Sequence, residues 1–308
     1  MADPKEQSAQ TFALPDGRTL AYSVYGSPTP SLHVFYFHSY PASRVEGVLF
    51  HDAALALGIQ LICPDRPGMG SSSFSPDRCL LDWPQDILAL ADHLSIAQFG
   101  CVGVSGGGPY TIACYHKIPR SRLKAAAVLA GIWPTTLGTQ GMPLESRVML
   151  FLAPWVPGLV AAGLDYGIGK AARDTAHPEV YATAVDKSIE SRAGVDRDVW
   201  RENKNGIKDV VLESMREALK DGSTGAAHDA RVYGSDWGFA LSDVKVEEKS
   251  LLIWHGHQDH NVPLVMAEKA VALLPGSQFR SFPDDGHTSL IAGKPKEFLK
   301  EVKTLLEG

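Results

Sequence analysis

The stretch "GVSGGG", Gly103 to Gly108, holds one serine among four glycines, between an apolar run and a stretch with helical character. Two kinds of chemistry use such a loop. A dinucleotide-binding loop needs G-x-G-x-x-G between strand and helix. Counted from Gly103, the second glycine is replaced by Ser105; counted from Gly106, the third falls on Thr111. No G-x-x-x-x-G-K is present either, so phosphate cradling is poorly supported. The G-x-S-x-G frame does fit, with Gly103, Ser105 and Gly107. That frame is a sharp strand-to-helix turn, which strains the serine and exposes its hydroxyl at the carboxyl end of a sheet. Small neighbours are needed because bulky ones would clash in so tight a turn. The following helix adds a favourable N-terminal field and a backbone N–H for a developing oxyanion. A plain structural turn is the alternative, and the strand-turn-helix setting favours a nucleophile.

A serine nucleophile needs a base, and the base needs an orienting carboxylate. With eleven histidines in the chain, the presence of one decides nothing. His287 is the best placed: it follows the strand candidate "SQFRSF" in the loop "PDDGHTS", ahead of the last helix. The carboxylate is expected between serine and histidine, just past a strand. "LLIWHGHQDHNVP" supplies Asp259 there. Asp284 and Asp285 share a loop with His287 and read as solvated surface. The same segment carries a rival, because "HGHQDH" (His255 to His260) matches H-x-H-x-D-H, which resembles the metal signature of the metallo-β-lactamase fold. That signature normally sits early in its fold, with more histidines and an aspartate downstream. Here it lies near the C-terminus and only His287 follows. No metal site is therefore expected, and His255 and His257 read as hydrogen-bonded residues at a strand end.

The elements that must position these residues alternate along the first third. "TFAL" and "TLAYSVYG" flank the turn "PDGR" as an antiparallel hairpin. "LHVFYF" (Leu32 to Phe37) and "IQLIC" (Ile59 to Cys63) are continuous apolar runs, as strands covered on both faces require. Helical spacing follows in "RVEGVLFHDAALALG", stopping at Gly58, and in "WPQDILALADHL" with Pro84 in its first turn. "FGCVGV", a helix "PYTIACYHKI" and a strand "KAAAVLAG" complete the series. This order predicts a mostly parallel, doubly wound α/β sheet.

From about Trp133 to about Trp237 no strand candidate appears. Val180, Ala184, Val185 and Ile189 have helical spacing, as do Val211, Met215, Ala218 and Leu219, with Gly194 and Gly222 where C-caps would stand. Alternation resumes with "SLLIW", a helix near Val262 to Leu274, "SQFRSF", and a closing helix from Pro295. The division is thus a core of residues 1–132 and 238–308, with a helical insertion at 133–237.

The chain of 308 residues is 44% hydrophobic and 21% charged, with a net charge of −6, which argues against nucleic-acid or anionic-membrane partners. Its four cysteines (Cys63, Cys79, Cys101, Cys114) form no Cys-x-x-Cys pair, and the start "MADPKEQSAQ" has no apolar signal segment. Both point to a reduced, cytoplasmic protein. "VMLFLAPWVPGLVAAGL" (Val148 to Leu164) is barely long enough to span a membrane and is interrupted by Pro154 and Pro157, so a buried or pocket-lining helical segment is expected. The sequence sets no oligomeric state.

"YFHSYPASR", which follows the Leu32 to Phe37 strand, brings a resemblance together with the serine turn and "HGHQDHNVP". From about residue 11 to the C-terminus the chain resembles the α/β-hydrolase superfamily, in its serine-nucleophile branch with a helical cap. That family carries His-Gly-x-Pro after its third strand, and "DRPGMGSS" (Asp65 to Ser72) resembles its loop after the fourth. The resemblance implies an oxyanion hole from the backbone N–H groups of Tyr40 and Gly106, with His38 structural. Ser39 stands where the family usually has glycine. If that position needs φ > 0, the serine carries strain of about 1–3 kcal/mol; otherwise its hydroxyl adds a polar group beside the oxyanion. The insertion would be the cap, with Trp133, Met142, Phe151, Trp155 and Trp237 lining an apolar pocket alongside Ser39.

The expectation is a serine hydrolase that cleaves an ester or lactone of a hydrophobic small molecule through an acyl-enzyme. Ser105 attacks, His287 moves the proton, Asp259 holds the imidazole, and no cofactor or metal takes part. A serine argues against epoxide hydrolase or dehalogenase chemistry, whose members use aspartate there. C–C hydrolysis, thioester cleavage, acyl transfer and biosynthetic cyclisation can use the same serine. A slow-turnover small-molecule receptor is a further alternative, and a metallohydrolase a weaker one.

Overall fold

The apolar runs pair into one eight-stranded sheet in a computed structural model that describes residues 9–190, 192 and 194–308. The polar start read for the absence of a signal segment, Met1 to Ser8, lies outside the described residues. The strands are β1 (Gln10–Ala13), β2 (Thr19–Gly26), β3 (Leu32–Phe37), β4 (Ile59–Pro64), β5 (Phe99–Val104), β6 (Leu123–Leu129), β7 (Leu251–Gly256) and β8 (Gln278–Phe282). Their order across the sheet is β1-β2-β4-β3-β5-β6-β7-β8. β1 with β2 and β2 with β4 are antiparallel, and every other pair is parallel.

Helices α1 (His51–Leu57), α2 (Trp83–His93) and α3 (Gly108–Lys117) connect the first parallel strands. Seven more lie between β6 and β7: α4 (Leu144–Leu152), α5 (Pro157–Leu164), α6 (Lys170–Arg173), α7 (Pro178–Glu190), α8 (Gly194–Arg201), α9 (Ile207–Ala218) and α10 (Thr224–Gly234). No strand interrupts them among the described residues. The chain closes with α11 (Leu264–Ala272), α12 (His287–Gly293) and α13 (Pro295–Glu307).

Alternate side chains of the central strands feed two cores, because successive residues of a strand point to opposite faces. Phe35, Phe37, Cys101, Val128 and Ile253 pack with α2, α3 and α11. Val34, Tyr36, Val102, Leu129 and Trp254 pack with α1, α12 and α13. All six residues of β5 and all six of β7 are buried, which explains why these strands read as unbroken apolar runs.

The structure corrects three local expectations. His287 is not in a loop but is the first residue of the short helix α12. Gly194 does not end a helix; it opens α8. The stretch Val148 to Leu164 is interrupted at Pro154 and Pro157 as expected, but its two helices leave Val148, Phe151, Trp155, Val156 and Leu159 exposed where a buried or pocket-lining segment was expected. No described helix is long and apolar enough to cross a membrane. Cys63, Cys101 and Cys114 are buried and Cys79 is exposed, all as free thiols.

The helices after β6 are tied to the sheet by an ionic cluster. Asp229 of α10 is fully buried between two arginines: Arg66 Nε donates to Oδ2 and Arg78 Nη2 to Oδ1, each at 2.6 Å. Tyr110 and Tyr233 donate their hydroxyls to the same carboxylate at 2.7 and 3.1 Å. Burial alone would raise the Asp229 carboxyl, but Arg66 and Arg78 outweigh it and hold it far below the usual range. Arg66 also donates to the carbonyls of His38 and Ser39, so the cluster fixes the loop after β3. Asp229→Ala leaves two buried guanidiniums without their carboxylate. It is expected to lower the unfolding free energy by about 3–5 kcal/mol in urea titration. A loss below about 1 kcal/mol would show that the cluster does not hold the insertion.

Candidate active site

β5 runs into α3 through a single 3-10 turn, Ser105 to Gly107. Ser105 adopts the left-handed conformation with φ +50°, which costs a non-glycine residue about 1–2 kcal/mol and persists only where the surroundings enforce it. The enforcement is steric. A Cβ on Gly107 would stand 2.1 Å from the Phe37 carbonyl oxygen, and one on Gly103 would stand 2.2 Å from Thr111 Oγ1. Both glycines of the frame are therefore required by close approach. The turn lifts the Ser105 side chain to the floor of a cavity.

Three side chains distant in sequence meet there. Ser105 Oγ lies 3.0 Å from His287 Nε2, and His287 Nδ1 lies 2.7 Å from Asp259 Oδ2. Asp259 is buried, and its other oxygen accepts the backbone N–H groups of Asn261 and Val262, both at 2.8 Å. With Asp259 accepting, His287 carries its proton on Nδ1 and presents a bare Nε2 to the serine. Burial works against the imidazolium, yet the Asp259 charge and hydrogen bond, with Asp196 adding to them, raise His287 above its ordinary 6.5. Burial likewise opposes ionised Asp259, and His287 holds the carboxyl below the usual range.

Asp284 is exposed and Asp285 pairs with Lys294 at 3.5 Å, so neither reaches His287. In the "HGHQDH" segment His255 is buried with Nε2 against the Val262 carbonyl at 2.8 Å, while His257 and His260 are exposed. Among the described residues no three His, Cys, Asp or Glu side chains converge as a metal site would require.

Tyr40 and Gly106 face each other across the cavity floor. A Cβ on Gly106 would stand 3.3 Å from the Tyr40 backbone N and 2.8 Å from the Tyr233 hydroxyl. Ser39 does not have positive φ, so the strain considered for it is absent. Its hydroxyl donates to Oε2 of Glu46, which lines the same cavity, and its N–H donates to Glu46 Oε1 at 2.9 Å. Tyr36 donates a further hydrogen bond to Glu46 at 2.7 Å. Burial raises the Glu46 carboxyl against these three donors. His38, buried, accepts the Arg66 N–H on Nε2 and faces the Ser39 carbonyl with Nδ1, so it supports the loop backbone.

The cavity has a volume of about 250 Å³ and is lined by Ser105, His287, Ser39, Met142, Met149 and Ile189, among others. Ser39 and Met142 thus stand where a pocket was expected. Four of the aromatic expectations do not. Trp133 and Trp237 are captured by the hydrophobic core, because they lie where the insertion joins the sheet. Phe151 and Trp155 point outward, 73% and 80% exposed. Ser146, Met149 and Leu150 form the inward face of α4, Val148 and Phe151 lie on its exposed face, and Trp155 follows in the turn after the helix.

The sequence reading singled out no arginine or carboxylate of the insertion, yet two reach the site. Asp196 of α8, buried, accepts the backbone N–H groups of His287 and Ser289, both at 2.9 Å, and so caps the first turn of α12. Arg192 lines the cavity, and its Nη1 donates to Asn261 Oδ1. Neither had a spacing signal, since each is defined by a partner about 70 to 90 residues away.

The model of the alpha/beta hydrolase fold family matches residues 33–294. An uncharacterized hydrolase, YcgS, of Bacillus subtilis is 27% identical over 150 residues, covering 48% of this chain and 51% of that protein. A dihydrolipoyllysine-residue acetyltransferase component of an acetoin cleaving system from Pseudomonas putida is 25% identical over 289 residues, covering 93% of this chain and 66% of that protein. The chain therefore spans less than two thirds of the length of these curated relatives. Among solved structures, an esterase from Exiguobacterium antarcticum superposes with TM-score 0.66 at 17% identity, covering 98% of this chain and 100% of its own. An enol-lactonase from Burkholderia xenovorans superposes with TM-score 0.65 at 19% identity, covering 97% and 100%. The family match spans most of the chain, and the eight-stranded sheet has the same fold as these structures: the chain belongs to the alpha/beta hydrolase fold family.

Proposed function

We propose that the chain is a serine hydrolase that cleaves an ester or lactone of a predominantly apolar small molecule through an acyl-enzyme. The observation that carries this reading is the continuous path from Ser105 Oγ through His287 to Asp259, at 3.0 and 2.7 Å, opening into a cavity. Ser105 attacks the substrate carbonyl while His287 Nε2 takes its proton. The oxyanion that forms is held by the backbone N–H groups of Tyr40 and Gly106, and such donors are each worth about 3–4 kcal/mol of barrier. His287 then protonates the leaving oxygen, leaving an acyl group on Ser105. Water repeats the path and releases the acid. Asp259 keeps the imidazole in the required tautomer and stabilises the imidazolium. Every proton and acyl transfer is made by a side chain, so the cycle calls for no cofactor. The neighbours include an esterase and an enol-lactonase, whose reactions are the ones carried over here. Residues 133–237 act as a cap in this reading, closing the cavity over the serine.

Incubation with a fluorophosphonate, read by intact mass and peptide mapping, is expected to give one adduct on Ser105 that is absent from Ser105→Ala. A folded wild-type protein without an adduct would refute the assignment. The pH dependence follows from the sign of the His287 shift. His287 must be neutral to accept the serine proton, and its pKa is raised, so kcat/KM is expected to rise with a midpoint above pH 6.5. Asp196 is one of the charges that favours the imidazolium. Asp196→Asn is therefore expected to move the midpoint to lower pH, and an unmoved or higher midpoint would contradict the electrostatic account.

A further inference from the structure

The cavity wall is mainly aliphatic, yet it includes a guanidinium. Arg192 stands between α7 and α8 and lines the same cavity as Ser105 and His287. Its Nε donates to the Ser188 carbonyl at 3.3 Å, its Nη1 to Asn261 Oδ1, and its Nη2 reaches Ser188 Oγ at 3.5 Å. All these acceptors are neutral. Among the described residues no carboxylate forms an ion pair with it within 4.0 Å.

The buried arginines of this protein differ from this half-buried one. Arg44 meets Asp65 and Glu217, and Arg66 and Arg78 share Asp229. Burial lowers the Arg192 pKa, but a guanidinium stays charged at any working pH. The cation is also close to the reacting groups. Asn261, which it holds, donates its backbone N–H to Asp259, the partner of His287. A guanidinium has five N–H donors, and at most three are engaged here, so a fork remains for a planar anion.

We propose that Arg192 is a substrate-binding residue that pairs with a carboxylate carried by the molecule Ser105 attacks. The substrate is then an ester or lactone with an apolar body and one carboxylate, bound with that carboxylate at the Arg192 end of the cavity. This rests on the role proposed above for Ser105. Asn261 and Ser188 hold the guanidinium before the substrate arrives, which reduces the ordering cost of binding.

The test uses 4-nitrophenyl hemiesters of succinic, glutaric and adipic acid, each against its methyl-capped neutral counterpart. Wild type, Arg192→Met and Arg192→Lys are compared, with thermal unfolding to show that each variant is folded. For at least one chain length, wild-type kcat/KM is expected to favour the anionic ester about 10-fold or more, the scale of one charge-assisted hydrogen-bonded pair. That ratio is expected to collapse in Arg192→Met, chiefly through KM, and to survive in part in Arg192→Lys. No anionic preference at any chain length, or the same ratio in wild type and Arg192→Met, overturns the proposal. Fluorophosphonate labelling of the same preparations separates this from failure of the serine assignment. If labelling fails and the esters are not cleaved, calorimetric titration with the intact hemiesters still decides the anion site. Tighter binding to wild type than to Arg192→Met supports it, and equal binding overturns it.

Discussion

Three residues separate Val104, the last position of β5, from Gly108, the first of α3, and a chain can reverse direction that sharply only where side chains are missing. The Phe37 carbonyl oxygen occupies the space a Cβ on Gly107 would need, and Thr111 occupies that of Gly103. With no room to relax, Ser105 is held at positive φ and its hydroxyl projects from the end of the sheet. Neighbouring β3 and β5 are hydrogen-bonded in register up to Phe37 and Gly103, so the loop leaving β3 passes directly beside this turn. The floor of the site thus follows from the packing of two adjacent parallel strands.

The helices between β6 and β7 are bonded to the loops of the sheet. Three charged side chains of the segment between β6 and β7 reach the loops of the sheet: Asp229 to Arg66 and Arg78, Asp196 to the amides of His287 and Ser289, and Arg192 to Asn261. Each contact supports a different part of the floor. Asp229 steadies Arg66, which grips the carbonyls of His38 and Ser39. Asp196 holds the first turn of α12, where His287 sits. The insertion is therefore joined to the loops around Ser105 and His287 by one buried ionic cluster and by hydrogen bonds from two further charged side chains.

Ser39 illustrates how a polar substitution is absorbed. Its hydroxyl and N–H are both directed to Glu46, a carboxylate that would be costly to bury without donors. Tyr36 supplies a third donor. The serine is thus a partner for a buried acid that lines the same cavity, and the Tyr40 backbone stays facing Gly106.

Much of this protein was legible in its sequence, for identifiable reasons. Strands buried on both faces must be unbroken apolar runs, so β3, β5 and β7 announced themselves and implied the parallel sheet. The Gly-x-Ser-x-Gly frame encodes a local steric demand, and local demands appear as local spacing. Asp259 and His287 could be read because each lies just past a strand, where a parallel sheet delivers its loops to one edge; the structure brings both to Ser105, with His287 opening a helix. What the sequence could not show was which side of a helix faces inward once the insertion docks. Phe151 and Trp155 are as apolar as Met149 and Leu150, yet only the latter pair meets the cavity. Trp133 and Trp237 went to the core because the joints of the insertion lie against it. Arg192, Asp196, Asp229 and Glu46 gain their roles from partners brought close only by folding. Backbone demands are written in neighbouring residues, whereas a buried charge is defined by the counter-group the tertiary structure sets against it.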